Sequence, residues 1–149
     1  MEFLDISEQA VFETSLDALV TRAIVALECE GKYVFVHDKA TNHWTLPGGT
    51  PKRGETSRQC VDREIASGVT IRPGELQFKG LMKFRPSPTG RMEFGALYVG
   101  SVGDVGAVGA VGDVEAEDRE DEKSEIVLWD LATDIGEVAE MDRKLVAYA

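Results

Sequence analysis

The chain has 149 residues, of which 43% are hydrophobic and 29% charged, and its formal net charge at pH 7 is -11. This length and composition are typical of one soluble globular domain with enough chain to bury a core. Because 27 acidic residues outnumber 16 basic ones, a broad basic face for duplex nucleic acid or an anionic membrane is not expected. A polyanionic ligand would need local positive charge, such as a bound metal ion, to offset the acidic surface.

In chain order, the first half predicts a helix or ordered arm over residues 7–20, with Ser7 as its cap. Two β-rich runs at 23–27 and 33–36 predict a hairpin that turns near Gly31. A brief strand at 44–46 is expected to stop at the following proline.

In the second half, the absence of Gly and Pro between residues 55 and 66 predicts a helix there. Strands are expected at 76–84, 92–101 and 126–129, and an amphipathic helix at 134–148. Strands around one central helix indicate an α+β domain with an α/β/α layering.

The segment 102–125 interrupts this pattern. It begins with glycine at every third position but has no proline, which argues against collagen, and it ends in a strongly acidic stretch. We interpret the chain as a single domain, 1–149, with a flexible insertion at 102–125.

The two cysteines and the start of the sequence bear on location. Cys29 and Cys60 have no neighbouring cysteine or histidine at metal-ligand spacing, so neither a disulfide framework nor a zinc site is supported. The first residues are acidic, unlike a secretory signal, and no apolar run is long enough to span a bilayer. The sequence therefore predicts a cytoplasmic protein.

The most informative motif begins with Leu-Pro-Gly-Gly at residues 46–49. Five residues separate Gly49 from Glu55, and seven residues separate Glu55 from Arg63 and Glu64, which are followed by the apolar Ile65. Four fixed positions, their spacing and the preceding residues coincide with a known pattern. This stretch resembles the first two thirds of the Nudix box.

The resemblance implies a Nudix fold, in which a mixed β-sheet lies between the box helix and a C-terminal helix. It implies hydrolysis of a nucleoside diphosphate linked to another group, with Mg²⁺ or Mn²⁺ bridging the phosphates. Glu64 would be the metal ligand or catalytic base, Glu55 and Arg63 a supporting pair, and Gly48 and Gly49 the scaffold. A small nucleotide-type molecule is then the expected partner, and relatives are frequently homodimers.

The sequence departs from the family where the box ends. Without gaps, Ser67 and Gly68 occupy the positions of the two later glutamates, and an alternative register deletes two residues after Ile65. In both registers Glu64 is the only remaining carboxylate of three, so metal affinity should fall. Two hypotheses stay open: the site borrows acids, for example from 115–125, or the chain is a non-catalytic nucleotide-binding or regulatory module.

Candidate substrate contacts carry less information. Arg22 begins the first core strand where many relatives place an arginine, and Arg85 ends a later strand, so either could meet a phosphate. Three aromatic residues could stack on a base, although aromatic residues in strands more often belong to the core; these are Trp44, Phe84 and Phe94. His37 and His43 have no metal-ligand or triad context.

Overall fold

The computed structural model describes residues 2–68, 76–85, 92–101 and 126–149. The elements in chain order are β1 (Glu2–Leu4), α1 (Glu8–Glu13), a 3₁₀ helix (Leu16–Leu19), β2 (Val20–Cys29), β3 (Lys32–Asp38), β4 (His43–Thr45), β5 (Gly48–Gly49), α2 (Ser57–Gly68), β6 (Gln77–Phe84), β7 (Glu93–Ser101), β8 (Ile126–Trp129), α3 (Glu140–Leu145) and a final 3₁₀ helix (Val146–Tyr148). The predicted insertion at 102–125, including its acidic part, lies outside these described residues.

The strands form one mixed sheet in the order β1-β6-β7-β2-β3-β4, with β5 paired to β2 and β8 paired to β3. β2 and β7 run parallel, and the other strand pairs of this sheet are antiparallel. No helix within the described ranges has the length and apolar character needed to cross a membrane.

Helices cover both faces of the sheet, as the sequence predicts. Residues of β2 alternate between the faces: Ala23 and Leu27 pack in the cluster that contains Val11 of α1 and Val61 of α2. The intervening Ile24 packs in a second cluster with α3 and the final 3₁₀ helix. The α+β fold with a sheet between helices is therefore confirmed.

The predicted hairpin is also confirmed. β2 and β3 are joined by Glu30 and Gly31, whose φ angles are 53° and 81°, while Cys29 pairs with Lys32. Two consecutive residues with positive φ are typical of a two-residue turn whose twist matches that of its strands.

The N-terminal prediction is correct at its start and wrong in its extent. The hydroxyl of Ser7 accepts a hydrogen bond from the amide of Ala10 at 3.1 Å, so the predicted cap is present. The helix ends at Glu13, and Ser15 has a φ of 62°, which breaks the helical path before the 3₁₀ helix begins.

The prediction of a continuous C-terminal helix over 134–148 is wrong. The amide of Trp44 donates to the carbonyl of Glu137 at 2.8 Å, and the amide of Ala139 donates to the carbonyl of Trp44 at 2.9 Å. These bonds hold the chain beside β4 in an extended path, so backbone groups that a helix would need are already engaged. A helix forms only over Glu140–Leu145.

The box helix α2 begins two residues later than predicted because its N-terminus is capped. The Thr56 hydroxyl accepts from the Gln59 amide at 3.1 Å, and the Gln59 side chain accepts from the Thr56 amide at 2.9 Å. This reciprocal arrangement is a capping box. Asp17 accepts bonds from both the amide and the hydroxyl of Ser57.

A polar network fixes α2 to the N-terminal segment. The Arg58 guanidinium donates to both carboxylate oxygens of Glu8, at 2.8 and 3.0 Å, and to the carbonyl of Leu76 at 3.0 Å. The buried Tyr98 hydroxyl donates to Glu8 at 3.1 Å, and burial raises the pKa of Tyr98 above its usual value. The side-chain bond from Arg58 lowers the pKa of Glu8. The position of the box helix therefore depends on residues at the start of the chain.

We expect Asp17→Ala to lower the free energy of unfolding by roughly 1.5–3 kcal/mol, because the amide and the hydroxyl of buried Ser57 lose a charged hydrogen-bond acceptor. Urea unfolding at neutral pH measures this loss, and Asp5→Ala, at an exposed acidic position on the same segment, is the control. Equal stability of the two variants would show that Asp17 does not stabilise α2.

Candidate functional site

The shortest strand of the sheet, β5, lies exceptionally close to β2. Gly48 pairs with Ile24, and Gly49 pairs with Ala23. A Cβ atom on Gly48 would overlap the carbonyl oxygen of Ala23, and the φ of Gly48 is 153°. Only glycine fits this position, because any side chain would push β5 away from β2.

The opposite neighbour of β5 is the box helix. A Cβ atom on Gly49 would overlap the carboxylate of Glu64, so this carboxylate lies directly against the glycine backbone. The motif residues Gly49 and Glu64 are 15 positions apart in the sequence and meet in the structure. The Gly-Gly segment therefore connects the central strand of the sheet with the carboxylate that the resemblance assigns to metal binding.

Arg63 holds the two box glutamates. Its guanidinium donates two hydrogen bonds to Glu55, at 2.8 and 3.0 Å, which is the pairing implied by the resemblance. Its Nη1 atom also lies 3.2 Å from Oε1 of Glu64. The bonds from Arg63, followed by the one from the Lys52 amide, lower the pKa of Glu55 to about 2. Glu55 is therefore an anion at neutral pH, and Arg63 is engaged by two carboxylates.

The described residues do not fit the magnesium or manganese site that the resemblance implies. Glu64 is a single helix-borne carboxylate, and one of its oxygens is already bonded to Arg63. Across the described ranges, no group of three or more His, Cys, Asp or Glu residues is arranged to hold a metal ion. Mg²⁺ is usually held by one or two carboxylates together with waters and substrate phosphates, and the carboxylate available here is already paired with an arginine. The predicted donors at 115–125 lie outside the described residues.

Arg22 lies on β2 next to the residue that pairs with Gly49, and its side chain is 38% exposed. Beneath it lies Asp142 of α3, whose side chain is fully buried and whose Oδ1 is 3.7 Å from Nη2 of Arg22. The other oxygen of Asp142 accepts from the Leu46 amide at 2.9 Å. Burial raises the pKa of Asp142, while the charge of Arg22 opposes this rise.

The second predicted arginine, Arg85, follows the last residue of β6 and is exposed. The strand register aligns Phe84 with Glu93 and Gly95 with Arg22. Arg85 is thus at the same end of the sheet as Arg22, but two strands away from β2. The structure therefore places the two arginines at the same end of the sheet, on different strands.

The three aromatic candidates and His37 have partners within the fold. The Trp44 indole N–H donates to a backbone carbonyl at 2.7 Å, and Phe84 and Phe94 pack in the two core clusters. The ring of His37 lies 3.1 Å from the side-chain oxygen of Asn42. These contacts support the interpretation that the aromatic residues belong to the core.

A groove of about 420 Å³ lies away from the motif. Its lining includes Glu28 and Tyr33, at the end of β2 opposite to Arg22. Both cysteines are buried free thiols, and burial raises the pKa of Cys60 to about 11. The thiol of Cys60 lies 3.8 Å from Nη2 of Arg63, beneath the ion pairs of the box, whereas the groove is lined by other residues.

We expect Glu55→Gln to remove a pH-dependent contribution to stability. The pKa of Glu55 is lowered from 4.5 to about 2, so its stabilising contribution is complete above pH 4.5 and is lost as the pH falls toward 2. The difference in urea midpoint between wild type and Glu55→Gln should therefore shrink across this window. Exposed Glu137, replaced by Gln, is the control, and a difference that is constant with pH would contradict the account.

Comparison with known proteins agrees with this geometry. The family model described as NUDIX domain matches residues 18–147. No curated protein sequence matches the chain. A MutT NUDIX hydrolase from Burkholderia pseudomallei is 14% identical with a TM-score of 0.63, and the alignment covers 86% of this chain and 95% of that one.

Three further structures share the fold. NrtR from Shewanella oneidensis is 17% identical with a TM-score of 0.65, covering 88% of this chain and 61% of that one. Its NUDIX domain, solved with ADP ribose, is 14% identical with a TM-score of 0.62 and 96% coverage of both chains. A mutant of the Bacillus subtilis pyrophosphohydrolase BsRppH is 13% identical with a TM-score of 0.53, covering 69% of this chain and 60% of that one.

The chain thus spans about three fifths of the BsRppH and full-length NrtR chains. At these identities the likeness concerns the fold, whereas the family model covers most of the chain. By its sequence, its sheet and its assembled box segment, this chain belongs to the Nudix family.

Proposed function

We propose that this chain binds a nucleoside diphosphate linked to another group. The site lies beside β5, at the end of the sheet where β2 begins. The observation that carries this proposal is the partly exposed Arg22, which lies beside the β2–β5 pairing and above the buried Asp142. A guanidinium suits phosphate oxygens because it can donate two parallel hydrogen bonds. Gly48 and Gly49 present a backbone without side chains, which allows close approach of a ligand.

The comparison with NrtR supports this class of ligand. The NUDIX domain of NrtR was solved with ADP ribose, which is a nucleoside diphosphate linked to a second sugar, and it aligns over 96% of this chain. NrtR was also solved with a 27-residue DNA. For this chain, the net charge of -11 favours a small nucleotide-type ligand over duplex DNA.

Hydrolysis of the bound pyrophosphate is the second candidate function. It is favoured by the assembled ion pairs of Glu55, Arg63 and Glu64, which match the intact part of the box. In that case Glu64 is the catalytic residue, assisted by Mg²⁺ or Mn²⁺. We rank binding first because one carboxylate oxygen of Glu64 is already paired with Arg63. In the described part of the chain, no further carboxylates are arranged with Glu64 to hold a metal.

We expect ADP-ribose to bind the wild-type protein in the absence of divalent metal, and Arg22→Ala to weaken this binding. The loss of charged hydrogen bonds worth about 1.5–3 kcal/mol corresponds to roughly 10- to 100-fold in Kd. Titration calorimetry measures both constants. Lys32→Ala removes a cation at the start of β3, beside the far end of β2, and as the control should bind like wild type. Equal affinity of wild type and Arg22→Ala would contradict the proposed site.

A phosphate-release assay separates the two candidate functions. ADP-ribose is incubated with Mg²⁺ or Mn²⁺, and a phosphatase converts any AMP formed into measurable phosphate. The proposed binding function predicts no turnover for wild type and unchanged ADP-ribose affinity for Glu64→Gln. Metal-dependent turnover that Glu64→Gln abolishes would instead establish the hydrolase.

A further inference from the structure

Asp142 is the only fully buried carboxylic acid among the residues that the structure describes. One of its carboxylate oxygens accepts a hydrogen bond from the Leu46 amide. The other, Oδ1, has no hydrogen-bond partner and lies 3.7 Å from Nη2 of Arg22. Leu46 is two residues before Gly48 in the chain. One buried carboxyl group is therefore in contact with two separate parts of the proposed binding site.

No other charge faces this carboxyl group from the described elements around it. From β2 it meets Arg22, and from the segment before β5 it meets only a backbone amide. On α3 itself, Glu140 and Lys144 are exposed and pair with each other at 3.1 Å. Arg143 lies over the ring of Trp129, and the buried side chains that pack with α3 are apolar. Arg22 is thus the counter-charge on which the ionised form of Asp142 depends.

A bound phosphate would change this balance. An unpartnered carboxylate oxygen is costly to bury, and the nearby guanidinium offsets part of the cost. When an anion takes the guanidinium as its partner, the field of Arg22 at Asp142 is partly cancelled by the negative charge of the ligand. The neutral carboxyl group then becomes the favoured form, with its proton supplied by the solvent.

We propose that Asp142 is a positioning residue that holds Arg22 and residues 46–49 together, and that it takes up a proton when a phosphate binds Arg22. This inference rests on the proposed function, because it assigns the phosphate contact to Arg22. By linkage, proton uptake on binding makes the affinity rise as the pH falls. A purely structural role for Asp142 would alter stability without this dependence.

Titration calorimetry with ADP-ribose in two buffers of different ionisation enthalpy tests the proposal on the wild-type protein. Each of the two phosphates in the pyrophosphate link of this probe has a single, strongly acidic oxygen that stays ionised near neutral pH, so the ligand itself binds no proton there. We expect net proton uptake by wild type and an affinity that increases by up to tenfold per pH unit of acidification. Binding without proton uptake would overturn the inference.

Variants identify the group that takes up the proton. Asp142→Asn keeps an acceptor for the Leu46 amide and stays neutral like the protonated acid, so its affinity should be independent of pH and equal to that of wild type at low pH. Glu140→Gln, which removes an exposed carboxylate of the same helix, is the matched control and should behave like wild type. The same pH dependence in Asp142→Asn as in wild type would overturn the role of Asp142.

The two proposals fail in different ways. If wild type does not bind ADP-ribose, both the proposed function and the linked proton uptake are overturned. If wild type binds and Arg22→Ala weakens binding, but no protons are exchanged, the proposed function stands and the role of Asp142 is overturned. Because proton uptake is measured on wild type, the test does not depend on the folding of any variant.

Discussion

The close approach of the Gly48 and Gly49 backbone to its two neighbours is the constraint on which the site depends. On one side a side chain would overlap the backbone of β2, and on the other it would overlap the carboxylate of Glu64. This contact fixes the distance between the sheet and α2. Arg63 then joins Glu64 to Glu55, so that the loop between β5 and α2 is closed by ion pairs. The glycine contacts and the ion pairs therefore hold the sheet, the loop and α2 in one fixed arrangement.

The same arrangement is the reason for proposing binding before hydrolysis. The scaffold of the box is complete, because glycines and the supporting ion pair require only residues 48–64. The metal cluster that the resemblance implies uses further carboxylates on the next turn of α2, where the sequence has Ser67 and Gly68. A hydroxyl group is a weak neutral ligand and glycine has no side chain. The fold can therefore persist while the usual source of metal affinity is reduced.

Features with local sequence signals could be predicted, and features set by distant contacts could not. The hairpin at Glu30 and Gly31, the Ser7 cap and the sheet between helices follow from turn chemistry and periodicity. The short strand β1 was not predicted, because it exists through its pairing with β6. The prediction of a long C-terminal helix is wrong because backbone hydrogen bonds to Trp44, which is far away in the sequence, replace the hydrogen bonds of a helix. Asp142 was missed for the same reason: only the fold brings it to Arg22.

Binding of the ligand beside β5 is tested most directly by an amide NMR titration of the uniformly labelled protein with ADP-ribose, without divalent metal. We expect the largest shifts at Arg22, Gly48 and Gly49. Shifts confined to Glu28 and Tyr33, in the groove at the opposite end of β2, would contradict it. The absence of any shift at saturating ligand would equally show that the segment around β5 does not bind this class of molecule.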